Sequence, residues 1–460
     1  MIVSLSSYGY AARGSCGRAV WLKDVTKNKE GSMSEYTQMW QDLGLNLKRH
    51  DTLLEALGEI YGEIYLKQHN RPKAMEYFDF VISEVHGLRI KELIEHKQKG
   101  GKVVGIFCVY VPDEIIMAAN GISVGLCGGA QFSIIDAEEI LPRNLCPLIK
   151  SAVGFKLGRI CPYFETANFL VGETTCDGKK KVWEILNNYI PTYVMETPQK
   201  KDEADKELWR KEVLAFKEKM ERETGVKITA KKLGEKIKVA NAKRKALVRL
   251  YNLRKNNPVP ISGKDALLTS QIAFYDDPIR FTAKVNELCD ELEGRIKGGV
   301  SVAGANTPRL MISGCPMAIP NWKLHHIVET SGGIVVVEET CTGTRYFTDP
   351  IIDETLTDLN GQLKAIANRY LNIHCSCFTP NDERIEDIVQ LAKDYNVAGV
   401  IYYVLQFCHT YNVEYYKVEK ALKNAGIPVL KIETDYSEED IGQLKTRVEA
   451  FLEQIGSKPS

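Results

Sequence analysis

Cysteines stand where apolar, β-branched runs of this chain give way to turns. The runs are Ile122-Ser123-Val124-Gly125-Leu126-Cys127, Phe169-Leu170-Val171-Gly172-Glu173-Thr174-Thr175-Cys176, Ile334 through Val337 to Cys341, and Val400 through Phe407 to Cys408. Ligands of an open parallel sheet bind in the crevice outside the carboxyl ends of its strands. Thiolates converging there hold a group that needs soft ligands, and an iron–sulfur cluster is the leading candidate. A single cysteine often serves only as a small buried hydrophobe. The set is harder to explain that way, because Cys176 is followed by Asp177-Gly178 and Cys408 by His409, which are turn-forming, polar neighbours. Zinc fits less well: no Cys-x-x-Cys pair occurs, and the nearest spacing is Cys375-Ser376-Cys377.

Of the 12 cysteines, Cys16 and Cys289 read as packing, while Cys108, Cys315 and Cys377 stay open. His409 either hydrogen-bonds a cluster sulfur or donates a proton, as a candidate catalytic group, or else caps a turn. Lys179-Lys180-Lys181 either balance the charge of an anionic cluster or form an exposed helix start. His325-His326 read as packing or surface.

Other chemistries lack their signatures. There is no Gly-x-x-x-x-Gly-Lys-Ser/Thr, no Gly-x-Gly-x-x-Gly and no Gly-x-Ser-x-Gly, and Gly298 to Gly304 has no lysine at the required offset. If ATP drives the chemistry, a separate protein must hydrolyse it. Lys+Arg and Asp+Glu balance at 60 each, which gives no electrostatic case for nucleic acid or an acidic membrane. No apolar run reaches the roughly 18–20 residues of a membrane span. No secretory signal is visible, so reduced thiols in a cytoplasmic protein are expected.

At 460 residues, two or three domains are expected. Residues 1–32, basic and rich in Ser and Gly, read as a disordered leader, tag or extension, with Met33 the natural start. A helical N-terminal region covers 33–100, where Leu53, Leu57 and Tyr61, then Phe78 and Ile82, recur at helical spacing. A first α/β domain covers 101–198, with strands over 102–110, 122–127, 168–174 and 192–195 and a helix over 112–120. A helical insert or bridge covers 199–300, helical throughout 199–256. A second α/β domain covers 301–460, with strands over 308–314, 333–338, 397–407 and 429–433. Its helices fall over 322–331, 351–371, 384–395, 413–425 and 438–454. This βαβ order predicts parallel sheets with helices on both faces. The domains echo each other: Cys108 answers Cys315, Cys127 answers Cys341, and Cys176 answers Cys408. Two similar domains facing across a cysteine-lined cleft would follow.

The segments Leu141 to Ser151 around Cys146, Lys156 to Phe164 around Cys161, Val171 to Lys181 around Cys176, and Cys408-His409-Thr410-Tyr411 resemble the 2-hydroxyacyl-CoA dehydratase D-component family, most closely its double-cubane cluster branch. The resemblance spans roughly residues 34–456. It implies two flavodoxin-like parallel-sheet domains, with the helical N-terminal region and insert. It implies one cubane on Cys146, Cys176 and Cys408, and a second through Cys127, Cys161 and Cys341, the two bridged by sulfide. The internal repeat offers Cys375 in place of Cys146. The activity implied is ATP-coupled, low-potential reduction of small molecules such as acetylene, with electrons from a dimeric ATP-hydrolysing iron–sulfur reductase, in a homodimer of anaerobic context. The alternative is a 2-hydroxyacyl-CoA dehydratase subunit with a single cubane. A cluster-storage or scaffold protein is a third reading.

Overall fold

The strands form where β-branched runs lie between loops rich in Gly, Pro and Asn. A computed structural model describes residues 36–348 and 351–456; the expected leader and Cys16 lie outside these residues. Two four-stranded sheets are present, both wholly parallel. The first contains β1 (Lys102–Ile106), β2 (Gly121–Gly125), β3 (Phe169–Glu173) and β4 (Thr192–Met195), in the order β2-β1-β3-β4. The second contains β5 (Arg309–Gly314), β6 (Ile334–Glu339), β7 (Gly399–Leu405) and β8 (Val429–Thr434), in the order β6-β5-β7-β8. Every residue of β3, β5, β6 and β7 is buried, as expected for parallel strands covered by helices on both faces. This is a flavodoxin-like α/β fold built twice. In each sheet the connections diverge between the first and third strands, β1/β3 and β5/β7. Those are the switch points at which such sheets bind ligands.

The elements refine several expectations. The strand expected through Tyr110 ends at Ile106, because its pairing with both β2 and β3 ends there. Phe107 to Val111 instead form a loop, and Tyr110 donates to the Ile373 carbonyl of the other domain at 2.7 Å. The helix expected from 351 begins at Leu359, where the Asp358 side chain accepts from the Gly361 amide. The helix expected from 413 begins at His409, because Cys408 is its N-cap. The helical run over 199–256 is two helices, Glu203–Thr224 and Ala230–Leu253. Gly225 in the left-handed region (φ +69°) ends the first, and the Thr229 side chain caps the second. The helices Gly263–Ile272 and Pro278–Lys297 follow.

The stripes Trp209, Val213, Phe216, Met220 and Leu233, Ile237, Ala240, Tyr251 are buried as expected. Between the end of the helix Ala230–Leu253 and β6, Arg254 and Glu338 are both fully buried and paired at 2.7 Å. Tyr251 and His325 complete the carboxylate's shell at 2.6 and 3.0 Å. His325 is therefore a packing residue. Among the described residues, no helix is long and apolar enough to cross a membrane.

The N-terminal helices Leu47–Tyr61 and Leu88–Gln98 flank a buried imidazole pair, with His50 Nε2 and His86 Nδ1 3.0 Å apart. Burial pulls the His50 pKa down to about 4, and burial with its neighbour pulls His86 down as well. A histidine held neutral in the fold costs nothing above its unfolded pKa near 6.5; protonation then favours the unfolded chain as the pH falls toward 4. His50 alone should therefore remove about 3 kcal/mol of stability over that interval. Urea unfolding at pH 7.5 and 4.5 checks this: His50→Gln should flatten the acid slope, whatever it does to the plateau.

Candidate thiol-lined metal centre

Both switch points open onto one cavity of about 410 Å³ between the two sheets. Nine cysteines line it: Cys108, Cys127, Cys146, Cys176, Cys315, Cys341, Cys375, Cys377 and Cys408. Six of them follow the first three strands of the two sheets. Cys108 and Cys315 come after β1 and β5, Cys127 and Cys341 after β2 and β6, and Cys176 and Cys408 after β3 and β7. Cys161 does not line the cavity. It precedes the short helix Pro162–Thr166 near Lys156 and Glu165, and burial pushes its thiol up to about 12. Cys289 is buried in the helix Pro278–Lys297, as packing.

Local chemistry aims these sulfurs. Gly314 has φ +137°, and a Cβ there would stand 1.9 Å from the Tyr403 carbonyl oxygen. Only glycine lets β5 pass so close to β7, and this places Cys315, whose sulfur accepts from the Leu405 amide at 3.4 Å. Cys146, Cys176 and Cys408 each N-cap a helix: Pro147–Leu157, Asp177–Leu186 and His409–Asn424. A helix N-terminus presents unpaired N–H groups and partial positive charge, which favour a thiolate. Cys176 Sγ accepts from the Lys179 amide at 3.5 Å. Pro147 removes one donor beside Cys146, and the Ile149 amide donates to the Cys146 carbonyl at 3.0 Å, starting the helix there. Lys150 fixes the loop before Cys146 by donating to the Arg143 carbonyl at 2.8 Å while pairing with Glu138.

The thiols fall into two groups, and each group draws on both domains. In one, Cys408 lies beside Cys146 and Cys315, and faces Cys176. In the other, Cys341 contacts Cys108 and Cys375, and Cys375 contacts Cys377. Donation from Cys146 and Cys315 holds Cys408 well below the usual thiol range, and donation from Cys341 and Cys377 does the same for Cys375. The donating thiols are pushed up correspondingly. Cys127 donates to the Phe107 carbonyl at 3.0 Å, and burial raises it to about 12. Among the described residues, no three or more His, Cys, Asp or Glu side chains form a site for a single metal ion.

Two cations, Lys179 and Arg345, face the thiols. Burial opposes the charge on Lys179, but Cys108, Glu173, Cys127 and Cys176 hold it well above its ordinary pKa; the Glu173 carboxylate lies 3.7 Å away. Lys180 is exposed at the cavity mouth and Lys181 is exposed outside the lining, so Lys179 is the one of the three held close against the thiols. Burial likewise opposes the charge on Arg345, which Glu339, Tyr411, Cys341 and Cys375 overcome. Glu339 pairs with Arg345 at 2.9 Å and with Arg384 at 2.8 Å, and Tyr411 OH stands 3.6 Å from Cys375 Sγ. His409 is exposed at the rim.

The segment between the domains supplies the cavity floor. Gln271, Phe274 and Tyr275 line it; Gln271 donates to the Met317 carbonyl at 2.7 Å, and Tyr275 OH donates to the Cys127 carbonyl at 3.4 Å. Arg345 and Gln271 carried no sequence signal of their own, and Tyr411 appeared only as the last residue of the Cys408-His409-Thr410-Tyr411 segment. Each could have been found only from its position beside a strand-end cysteine or from the fold. A pocket of soft donors with fixed countercharges suits an anionic iron–sulfur group better than a single hard cation.

Known proteins share this framework. The family model described as 2-hydroxyglutaryl-CoA dehydratase, D-component, matches residues 108–455. The Escherichia coli (strain K12) protein YjiM, named as a candidate dehydratase subunit, is 39% identical over 379 residues, 81% of this chain and 96% of that protein. The (R)-phenyllactyl-CoA dehydratase beta subunit of Clostridium sporogenes is 24% identical over 374 residues, 79% of this chain and 95% of its own length. The beta subunit of (R)-2-hydroxyglutaryl-CoA dehydratase from Acidaminococcus fermentans is 23% identical over 376 residues, 79% and 95% of the respective lengths.

Proposed function

Because this chain belongs to the 2-hydroxyglutaryl-CoA dehydratase D-component family, we propose that it is the iron–sulfur component of a dehydratase-type enzyme that receives electrons from an ATP-hydrolysing partner. The observation that carries this reading is the single cavity onto which both switch points open, lined by thiols from both domains and faced by the cations Lys179 and Arg345. Cys146, Cys176 and Cys408 would hold a [4Fe–4S] cubane, each offering its sulfur from a helix N-terminus. When bound, the cluster supplies one-electron transfer at low potential. Lys179, which faces Cys176, offsets its negative charge, and the apolar walls keep water from screening that interaction. The names of the relatives favour a hydroxyacyl-CoA thioester as substrate and dehydration as the reaction. The chain has no phosphate-binding loop, which fits energy supplied by a separate reductase.

A second reading has its own support. Nine thiols exceed what one cubane needs, and Cys108, Cys341 and Cys375 form a group apart from Cys408. These could hold a second cubane, giving the double-cubane reductase of small molecules such as acetylene. This set shares Cys341 with the one the resemblance implies and has Cys108 and Cys375 in place of Cys127 and Cys161.

Iron and sulfide assays on anaerobically purified protein separate the two readings: about four irons per chain support one cubane and about eight support two. Turnover of a hydroxyacyl-CoA or of acetylene, with an ATP-driven reductase present, assigns the reaction. A colourless, iron-free oxygen-free preparation would overturn both.

Lys179→Met tests the countercharge. It should shift the cluster's midpoint potential negative by on the order of 100 mV, the scale for removing a unit charge a few ångströms away at an effective dielectric near 20. Lys180→Met and Lys181→Met should leave the potential unchanged in the same EPR-monitored titration.

A further inference from the structure

The mouth of the cavity is made by lining residues that also reach solvent: Asn144, Asp177, Lys180, Gln199, Phe407 and His409. Phe407 is the one large apolar side chain among them, and it is 41% exposed. Its backbone sits in the left-handed region at φ +61°. The other described non-glycine residues with positive φ are Asn70, Asn120, Asn396 and Arg159. Asparagine tolerates that region; a bulky phenylalanine there is an outlier.

The surrounding bonds hold the turn in place. The Gln406 amide donates to the Thr434 carbonyl at 2.9 Å, and the Cys408 amide donates to the Leu405 carbonyl at 3.0 Å. A glycine at 407 would make the same turn without steric cost. The equivalent turn of the first sheet, Thr174-Thr175 before Cys176, presents its cysteine with no left-handed residue. Neither the turn nor the thiol therefore explains the phenyl ring. Strained backbone of this kind persists where the surrounding structure enforces it, and it concentrates at ligand sites.

We infer that Phe407 determines access to the thiol cavity, its ring narrowing the mouth so that slender molecules enter and bulky or branched ones do not. The inference deepens the proposed function, since it takes this cavity as the reacting site. Its test reads access alone and needs no iron. In apoprotein, labelling of Cys146, Cys176 and Cys408 by N-ethylmaleimide and by the larger fluorescein maleimide is followed by peptide mass spectrometry. Phe407→Gly, which also relieves the backbone, and Phe407→Leu, which keeps an apolar side chain, bracket the ring's effect. The larger reagent should label the glycine variant several-fold faster than wild type, with the leucine variant between them. The small reagent should show little change. Equal rates with the larger reagent in all three proteins would overturn the assignment, and iron content would still report separately on the cluster.

Discussion

Cys408→Ala should release at least half of the iron that an anaerobic preparation of the wild-type chain holds. Cys408 contacts Cys146 and Cys315, faces Cys176, and begins the helix that presents its own sulfur. With a single cubane, the alanine variant should be nearly iron-free while Cys341→Ala keeps its full complement. With two cubanes, each variant should lose about half, because Cys341 belongs to the group with Cys108 and Cys375. Cys161→Ala should leave iron unchanged under both readings, since that thiol is off the cavity wall. Full iron in Cys408→Ala would remove the proposed centre.

Glu338→Gln should produce the largest loss of stability. Arg254 and Glu338 are both fully buried; the carboxylate accepts from both ends of the guanidinium, at 2.7 and 2.8 Å, and from Tyr251 and His325. Arg254 holds the carboxyl well below its usual range despite burial. Removing one partner of such a pair leaves an uncompensated buried charge and costs about 3–5 kcal/mol. The denaturation midpoint in urea should fall accordingly. The double variant Arg254→Met with Glu338→Leu should recover much of the loss, because it buries no lone charge. If the single variant unfolds at the wild-type midpoint, the pair does not secure the helix Ala230–Leu253 to β6.

Much of the framework was legible because it depends on local period. The strand-end cysteines, the internal repeat and the buried stripes of the two long helices follow from apolar spacing, which a chain displays one residue at a time. What was not legible depends on distance in space. β1 ends at Ile106 although Phe107 to Tyr110 continue its apolar run, because neither neighbouring strand pairs further. Lys179 differs from Lys180 and Lys181 in being tucked against the cavity thiols rather than exposed, and Arg345 gains its meaning from Cys341 and Cys375 beside it. Cys161 sits in a family-like segment, yet it is not among the residues that line the cavity. Cys108, Cys315 and Cys377 gave no decision in sequence, since lining a cavity is a property of the folded pair of domains.

The mixing of the two thiol groups sets a timetable for biosynthesis. Cys146 and Cys176 emerge long before their partners Cys315 and Cys408, and Cys108 precedes Cys341 and Cys375 by more than half the chain. Neither set of donors exists until translation has passed residue 408 or 377 respectively. If these thiols are the ligands, as proposed, a cluster can be completed only after both halves have been made and have met. Whatever fills the cavity then locks them together.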